Sequence, residues 1–592
     1  MKLHNAMDYT LITGQGDEKK KTLDSAWKSL APLLRGEKAN IIIALTAVVI
    51  SSAANLISPV LIARVIDTAI TKHDFGLVLK YSAFLLVVYL IGLVAAYIQT
   101  IRMGTVGRNV VYSLRNGLFT KLSDLPIAFF NANKAGDLIS RVNNDTDKLN
   151  QFFSQALMQF FGNFFIILGA GILLLVLNVK LGIVAILPAI GVLIATQLLG
   201  AWVKRTSRTG LQSLGAMSGE IQESLANFKV IIAFNRLDYF REKFDEANKT
   251  NYKASIAAGI ASNLFTPLYT LASNIAQIAV LGYGVWLIAQ GELTIGLLIG
   301  YLLYVTSFYN PLRQIASVWS SLQLALASLD RIREVLSLHS NLSLMPAGPE
   351  ALKDALLAFT NVSFGYEEGK DILTDVNLTL KKGMTYALVG PTGGGKTTTA
   401  SLMARLYDPS AGTIYLDGRD IRTYTDEERA QKIGFILQEP FLFSGTVRDN
   451  IVYGNQELMT VSDEELLARL KASNLERLLE RFPEGLSTRA SATGDTLSLG
   501  QRQLLAFMRA VLRKPELLIL DEATANIDTV TEQLLEKILE QLPKETTKVI
   551  IAHRLNTIQS ADDIFFINGG QITEAGSMEH AVELLLHGKR KS

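Results

Sequence analysis

A glycine-rich octapeptide, Gly-Pro-Thr-Gly-Gly-Gly-Lys-Thr at positions 390–397, carries the clearest chemical signal in this sequence. It matches the P-loop pattern G-x-x-x-x-G-K-[ST], follows an apolar run at 386–390 and precedes a helix-like run at 398–406. Loop N–H groups and a helix N-terminus both present positive partial charge, so this context favours a phosphate site over a plain glycine-rich turn. We therefore expect a nucleoside triphosphate to contact Gly390, Pro391, Thr392, Gly393, Gly394, Gly395, Lys396, Thr397 and Thr398.

Side chains downstream of this loop could hold a metal and activate water. The buried-strand run 517–520 ends in Asp521 and Glu522, and a strand in a parallel sheet would deliver both carboxylates beside the loop. We expect Mg²⁺ to be ligated by Thr397, Asp521 and Gln438. Glu522 is placed to polarise the water that attacks the γ-phosphate.

Two further residues are ambiguous when taken alone. His553 follows the apolar run 549–552 and could contact the γ-phosphate, although a histidine at a strand end is more often structural. Tyr366 lies upstream of the loop and could stack on adenine, or it could be a packed sheet aromatic.

A second anion-binding element follows at 497–503, where Leu-Ser-Leu-Gly-Gln-Arg-Gln precedes a helix-like run at 504–512. Ser498 and the N–H groups after it would form a helix N-terminal anion site. A chain with two phosphate-binding elements suits a dimer in which the second element of one copy closes the P-loop of the other copy.

Composition separates the two halves of the chain. The 592 residues are 49% hydrophobic, and the apolar residues concentrate in the first half. Cysteine is absent, which excludes disulfides and thiolate chemistry. A net charge of +2 and the lack of a basic stripe with interleaved aromatics give no support for nucleic-acid binding.

Six runs in the first half lack Asp, Glu, Lys and Arg and approach or exceed the ~20 residues needed to span a bilayer. They are 39–63, 81–101, 149–179, 181–203, 256–290 and 293–312. The long links 102–148 and 204–253 are rich in Lys and Arg, so the positive-inside rule places them in the cytoplasm. Both termini and the P-loop then lie on the same side, and residues 25–36 resemble an interfacial helix.

Each long link is expected to extend its flanking helices beyond the bilayer, and each contains an aromatic-apolar patch. The patches are 125–131, which contains Pro126, and 230–236. They would pack locally or dock against the ATPase domain. Pro126 would interrupt a helix in the first link, at a point where a short transverse helix could follow.

Taken together, these motifs resemble the ATP-binding cassette (ABC) superfamily, and six spans before one cassette resemble its exporter half-transporters. The resemblance covers the chain from about residue 25 to its end. It implies that Tyr366 is the adenine-stacking residue, Gln438 the Q-loop, Asn526 and Asp528 the D-loop, and His553 the switch histidine. It also implies a signature that acts on the partner subunit, formed by Leu497, Ser498, Leu499, Gly500 and Gln501.

Two departures from the family pattern resemble one subunit of bacterial heterodimeric multidrug exporters. Leu499 replaces the usual first glycine of the signature, and Ser491-Ala492 stands where a Gly-Glu pair is usual. Because Glu522, His553 and Gln438 are kept, the chain resembles the catalytically competent subunit. A heterodimer is favoured, and a homodimer stays open.

The resemblance implies export of amphipathic solutes across the cytoplasmic membrane, driven by ATP with Mg²⁺. A lipid flippase shares every motif, and an ATP-gated channel or non-transporting sensor is the alternative of another class. Uncharged polar and aromatic residues on the spans would line the cavity or pack between helices. They are Asn274, Gln277, Tyr301, Tyr304, Phe308 and Gln323.

The predicted fold is multi-domain: an all-α polytopic membrane domain, then an α/β P-loop ATPase domain. A polar tail (1–24) precedes the membrane domain (25–335), and a linker (336–350) leads to the ATPase domain (351–592).

Overall fold

A computed structural model of the chain describes residues 9–11, 30–70, 74–340, 342, 344–346, 355–367, 369–438, 440–491, 496–521, 529–551 and 561–587. The chain folds as two units. One comprises 12–123 and 135–337, and the other comprises 1–11, 124–134 and 338–592. The second unit therefore includes a piece of the first long link, which the sequence pattern assigns to the membrane domain.

The helical unit is built around long apolar helices. A 3₁₀ helix, Ala31–Glu37, leads into α1 (Lys38–Arg64), and a π-helical turn (Val65–Ile70) follows it. α2 (Phe75–Ser123) is followed by α3 (Ile127–Ala132), which belongs to the other unit, and by α4 (Ala135–Ser140). π-helical turns at Arg141–Asp145 and Phe152–Ala156 flank α5 (Thr146–Gln151) before α6 (Leu157–Leu177).

The second half of this unit repeats the pattern of long helices and a short one. α7 (Val179–Ala226) precedes α8 (Phe228–Ala233), and α9 (Leu237–Asn263), α10 (Phe265–Ala289) and α11 (Ile295–Ser337) complete the unit. Among the described residues, six helical stretches are long and apolar enough to cross a membrane. Each predicted span lies within one of them, except for one or two end residues of the third, fifth and sixth spans.

The long helices exceed a bilayer. α2 has 49 residues and α7 has 48, which at 1.5 Å per residue is about 70 Å, against about 30 Å of hydrocarbon. The expected extensions of the spans are therefore confirmed. The predicted break at Pro126 is also confirmed, since α2 ends at Ser123 and Pro126 is the N-cap of α3.

Buried charges tie two extensions of this unit together. The guanidinium of Arg141, 1% exposed, pairs with Asp137 at 2.9 Å and with Glu334 near the end of α11 at 2.6 Å. Arg331 also reaches Asp137, at 2.6 Å. A charge buried this deeply is stable only with such partners, so α4 and the end of α11 are held in one arrangement.

The ATPase-containing unit is an α/β structure with two larger sheets. Strands β1 (Leu357–Phe364), β2 (Leu373–Leu380), β4 (Ala411–Leu416) and β5 (Arg419–Asp420) form an antiparallel sheet in the order β2-β1-β4-β5. The second sheet has the order β12-β11-β3-β10-β9-β6 and is parallel except for β12. Its strands are β3 (Thr385–Val389), β6 (Ile433–Ile436), β9 (Leu517–Asp521), β10 (Thr547–Ile551), β11 (Asp563–Asn568) and β12 (Gln571–Glu574).

Helices and short elements complete this unit. The helices are α12 (Lys396–Met403), α13 (Asp426–Lys432), α14 (Val447–Val452), α15 (Gln456–Met459), α16 (Asp463–Ala472), α17 (Glu476–Leu479), α18 (Leu499–Val511), α19 (Thr529–Glu540) and α20 (Met578–His587). The small strands β7 (Gly445–Thr446) and β8 (Arg489–Ala490) pair with each other, and 3₁₀ turns lie at Ile421–Thr423 and Gly485–Ser487. One apolar core includes residues of both larger sheets and of α12, which fixes the P-loop between its strand and its helix.

Candidate nucleotide site

The loop between β3 and α12 has a backbone that only glycine can supply at two points. Gly395 has φ +112°, and a Cβ there would lie 2.9 Å from the side chain of Leu373. At Gly390, a Cβ would lie 2.0 Å from the carbonyl oxygen of Ile567. The loop is therefore packed closely against the segments that contain Leu373 and Ile567, and a side chain at either glycine would displace it.

Lys396 is the first residue of α12, and its side chain folds back over the loop. Its Nζ donates hydrogen bonds to the carbonyl oxygens of Gly390 at 2.9 Å and Pro391 at 3.1 Å, and the residue is 6% exposed. The ammonium group is thus held at the loop, where a β- or γ-phosphate oxygen would meet it.

Strand register brings the other predicted groups to the same sheet edge. Ile551 of β10 is opposite both Leu388 of β3 and Asp521 of β9. All three parallel strands therefore end at one level, and the P-loop begins two residues beyond Leu388. Carboxyl ends of parallel strands are where α/β proteins bind ligands.

The groups expected to hold Mg²⁺ fit such an ion. Asp521 is the last residue of β9 and is 3% exposed, while Thr397 is exposed in the first turn of α12. Gln438 is exposed two residues beyond the end of β6, whose Ile436 is opposite Leu520. Carboxylate, hydroxyl and amide oxygens are hard ligands of the kind that Mg²⁺ prefers.

Tyr366 lies at the rim of the site with its ring accessible. It is 47% exposed, and its hydroxyl is 3.2 Å from the Thr398 Oγ1 of α12. Phe364 and Tyr407 each contact it edge-on, with ring centroids 5.1 Å away. This ring is therefore positioned by packing and still has surface available for stacking on a base.

Ser498 is the N-cap of α18, so this helix begins at Leu499, earlier than the helix-like run predicted at 504–512. The Ser498 Oγ accepts a hydrogen bond from the N–H of Gln501 at 3.2 Å, and the Gln501 Oε1 accepts one from the Ser498 N–H at 2.9 Å. This reciprocal capping box orders the signature and explains the earlier start. Leu499 is half-buried in the first turn, and Ser498 is exposed.

Four of the predicted site residues lie outside the described residues. They are Glu522, Asn526, Asp528 and His553. The same holds for Ala492 in the departure from the Gly-Glu pair. Glu522 directly follows Asp521, and His553 comes two residues after Ile551, so both follow strands that end at the described edge.

The helix α3, predicted as a docking patch, packs in the ATPase-containing unit. Its Asn131 Nδ2 donates a hydrogen bond to the Tyr407 hydroxyl at 2.7 Å, and Tyr407 contacts Tyr366 as described above. Burial raises the pKa of the Tyr407 phenol. Docking of the first patch is therefore confirmed, whereas nothing in the sequence around Tyr407 indicated its role.

The predicted cavity residues fall into two groups. Tyr301 and Tyr304 are fully buried and Phe308 is nearly so. The Tyr301 hydroxyl donates to the carbonyl oxygen of Leu174 at 2.7 Å, and that of Tyr304 donates to the carbonyl oxygen of Leu56. Burial favours the helix-packing alternative for all three aromatic residues, and these hydrogen bonds add to it for the two tyrosines. Asn274 and Gln323 are exposed, and Gln277 is half-buried.

Sequence reasoning overlooked a buried amide side chain on a span. Asn163 lies in α6 and is 7% exposed, and its Nδ2 has no hydrogen-bond partner among the residues that the structure describes. A polar side chain inside an otherwise apolar run was the available signal.

Comparisons with known proteins agree with this architecture. The family model described as ABC transporter transmembrane region matches residues 41–312, and the one described as ABC transporter matches residues 373–525. An uncharacterized ABC transporter ATP-binding protein of Bacillus subtilis is 34% identical over 95% of this chain and 92% of its own length.

Two further relatives have names that mention cargo. A fatty acid ABC transporter ATP-binding/permease protein of Mycobacterium tuberculosis is 32% identical, covering 85% of this chain and 79% of its own. A multidrug resistance ABC transporter ATP-binding and permease protein of Lactococcus lactis is 30% identical, covering 84% of each. The chain therefore belongs to the ABC transporter family, as an exporter-type half-transporter that joins a six-span membrane domain to an ATP-hydrolysing domain.

Proposed function

We propose that this protein exports amphipathic or hydrophobic solutes across the cytoplasmic membrane by alternating access. The observation that carries the proposal is the hydrogen bond from Asn131 of α3 to Tyr407, which contacts the predicted adenine platform Tyr366. Because α3 connects the long helix α2 to α4 along the chain, a change at the nucleotide site has a direct mechanical route to the spans.

The nucleotide site would act as half of a composite site. Lys396 and the loop N–H groups bind the β- and γ-phosphates of ATP, and Tyr366 stacks on the base. Thr397, Asp521 and Gln438 would hold Mg²⁺, which supplies positive charge to the phosphate oxygens when bound. Glu522 orients the attacking water, and His553 contacts the γ-phosphate.

The second half of the site would come from a partner subunit. The exposed Ser498 at the start of α18 offers a capped helix N-terminus to a γ-phosphate. The second aromatic-apolar patch (230–236) supports a partner too, because Val230, Ile232 and Phe234 are all more than half exposed, and Phe228 at the start of α8 is about half exposed. Apolar side chains clustered at one short helix are typical of a docking surface.

We favour a heterodimer on the two signature-region departures, Leu499 and Ser491-Ala492. ATP binding would close the two ATPase domains, and hydrolysis at Glu522 would reset them. The driving force is the higher affinity of the closed dimer for ATP. Wild-type ATP turnover from a dimer of this chain alone would contradict the heterodimer.

The cargo class follows from the spans. The six uncharged runs offer no intramembrane ion-pair partner to a strongly charged solute. Asn274, Gln277 and Gln323 supply uncharged polar contacts, as the buried amide of Asn163 also could. Fatty acids, named for one relative, are amphipathic, and this favours a lipid-like cargo as the second candidate.

Reconstitution tests the proposal and its alternatives. The dimer in proteoliposomes should move a lipophilic fluorescent dye when ATP is added, and the Glu522→Gln protein is the matched control. Movement of labelled phospholipid without dye would show a flippase. If ATP were hydrolysed but neither dye nor phospholipid moved, the export proposal would be wrong, and the ATP-gated channel or non-transporting sensor would be favoured.

Substitution of Ser498 by aspartate tests whether the start of α18 contacts the partner's γ-phosphate, without preventing α18 from folding. Aspartate is as good an N-cap as serine, so α18 should form and the melting temperature should stay near that of the wild type. Its carboxylate would repel the γ-phosphate bound at the partner's P-loop and so hinder closure of the two ATPase domains, and we expect ATP turnover to fall roughly 10²-fold, the cost typical of a lost charge-stabilising donor.

The control for this prediction is Ser498→Ala. It removes the cap and about 1 kcal/mol of stability, but it places no charge at the phosphate. Turnover by Ser498→Asp equal to that of the wild type would mean that this helix end does not face a phosphate.

A further inference from the structure

We propose that residues 9–11, which we call the N-terminal clasp, hold α3 in its docked position and thereby keep ATP hydrolysis coupled to movement of the spans. The sequence predicted a polar tail here. Instead Tyr9 is 4% exposed and Leu11 is 2% exposed. Burial of two large side chains from a tail requires a specific receiving surface.

The receiving surface is provided by the side-chain amide of Asn133, immediately after α3. Its Oδ1 accepts a hydrogen bond from the Leu11 N–H at 2.9 Å, and its Nδ2 donates to the Tyr9 carbonyl oxygen at 2.8 Å. One amide thus binds the main chain of the clasp on both sides of Thr10, as a neighbouring β-strand would.

The same amide also completes α3. The Asn133 Nδ2 donates to the carbonyl oxygen of Phe129 at 2.7 Å, which satisfies a carbonyl in the last turn of the helix. Both Nδ2 hydrogens therefore have acceptors, one in α3 and one in the clasp. A shift of α3 away from the clasp would leave these groups unpaired, and that is unfavourable when they are shielded from water.

Tyr9 connects α3 to the linker that follows α11. Its hydroxyl donates to the His339 carbonyl oxygen at 2.9 Å, and its ring meets Phe129 edge-on with centroids 6.4 Å apart. Phe129 is fully buried. The clasp therefore joins three segments at which the chain passes between the membrane helices and the ATPase domain: the N-terminus, α3 and the linker.

The clasp and the nucleotide site contact the same short helix. Asn131 bonds to Tyr407, which contacts Tyr366, and Asn133 bonds to the clasp two residues later. A six-residue helix makes few contacts of its own, so its position depends on such anchors. Without the clasp, α3 retains its hydrogen bond to Tyr407 but is no longer restrained relative to the linker. Movement caused by nucleotide is then transmitted less completely to the spans.

Tyr9, Leu11 and Asn133 are positioning residues, and none of them belongs to the predicted nucleotide site. The inference rests on the proposed function only for its transport readout. The docking itself can be measured without any cargo, so a failure of the export proposal would not be mistaken for a failure of the clasp.

The test compares Leu11→Pro with Leu11→Val in the full-length dimer. Proline removes the N–H that bonds to Asn133, whereas valine keeps it and retains most of the apolar side chain. Hydrogen exchange measured by mass spectrometry should show faster exchange of α3 amides in Leu11→Pro, by roughly 10-fold for one lost anchor. Leu11→Val should resemble the wild type.

The functional readout is the number of dye or lipid molecules moved per ATP hydrolysed. We expect Leu11→Pro and Asn133→Ala each to lower this ratio by about 10-fold, within the range of ordinary coupling energies, with basal ATP turnover unchanged. Because Asn133→Ala already removes the bond that Leu11→Pro breaks, the double variant should be little worse than Asn133→Ala alone. Unchanged α3 exchange in Leu11→Pro, or an unchanged transport ratio, would overturn the proposal.

Discussion

Replacement of Lys396 by alanine should nearly abolish ATP turnover and weaken ATP binding. The side chain is held over the loop by hydrogen bonds to the carbonyl oxygens of Gly390 and Pro391, so its charge is preorganised where we expect the phosphates to bind. Loss of one preorganised charge-stabilising group typically costs roughly 10²–10³ in rate. ATPase assays and binding of a fluorescent ATP analogue would both show the loss.

Lys396→Arg provides the matched control for this prediction. It keeps the positive charge, but its planar guanidinium needs more room than an ammonium group, and the glycine loop is already pressed against Ile567 and Leu373. We expect it to rescue little activity. Full ATP turnover by Lys396→Ala would show that the loop is not part of the catalytic site. Loss of turnover in both variants, with normal melting curves, would support the prediction that it is.

Replacement of Glu522 by glutamine should separate ATP binding from hydrolysis. Glutamine has nearly the same shape but cannot accept a proton from water, and loss of a positioned general base typically costs about 10²–10⁴ in rate. Lys396 and the loop are untouched, so ATP should still bind. The measurements are steady-state turnover and the amount of ATP retained by the dimer after gel filtration.

Asp521→Asn serves as a comparison for Glu522→Gln. The buried Asp521 is expected to act through Mg²⁺, so its amide variant should make ATP binding less dependent on magnesium. Glu522→Gln should keep that dependence. If Glu522→Gln hydrolysed ATP at the wild-type rate, another group would have to activate the water.

The two substitutions should stop the ATP-driven cycle at different steps. Lys396→Ala should prevent the ATP-bound closed state from forming, whereas Glu522→Gln should accumulate it. The proteoliposome assay should therefore show no transport with either variant, with bound ATP found only in the Glu522→Gln protein. This pattern would place both residues in one cycle, at successive steps.

Local patterns in the sequence were sufficient for the nucleotide loop and the spans. Glycines at fixed spacing before a lysine specify a phosphate loop, because few other sequences allow that backbone. Long runs without charge specify membrane helices, because a charge in hydrocarbon is costly. The break before α3 was also local, since Pro126 cannot continue a helix.

Boundaries and partners required tertiary structure. The sequence separated a membrane domain from an ATPase domain by position along the chain, but residues 124–134 lie in the same unit as the ATPase fold. Tyr301 and Tyr304 looked like cavity residues because they are polar aromatics on a span, yet their hydroxyls bond to main-chain carbonyl oxygens of other helices. Side-chain type does not reveal which face of a helix a residue occupies.

The sequence by itself determined that this chain binds nucleotide and crosses a membrane, because both depend on short-range patterns of residue type. Only the tertiary structure decided which distant residues meet, with Asn131 bonded to Tyr407 and Asn133 bonded to Tyr9 and Leu11 of the clasp. These contacts join residues that are more than 100 positions apart. Such pairs form only when packing brings distant segments together, and no local periodicity encodes them.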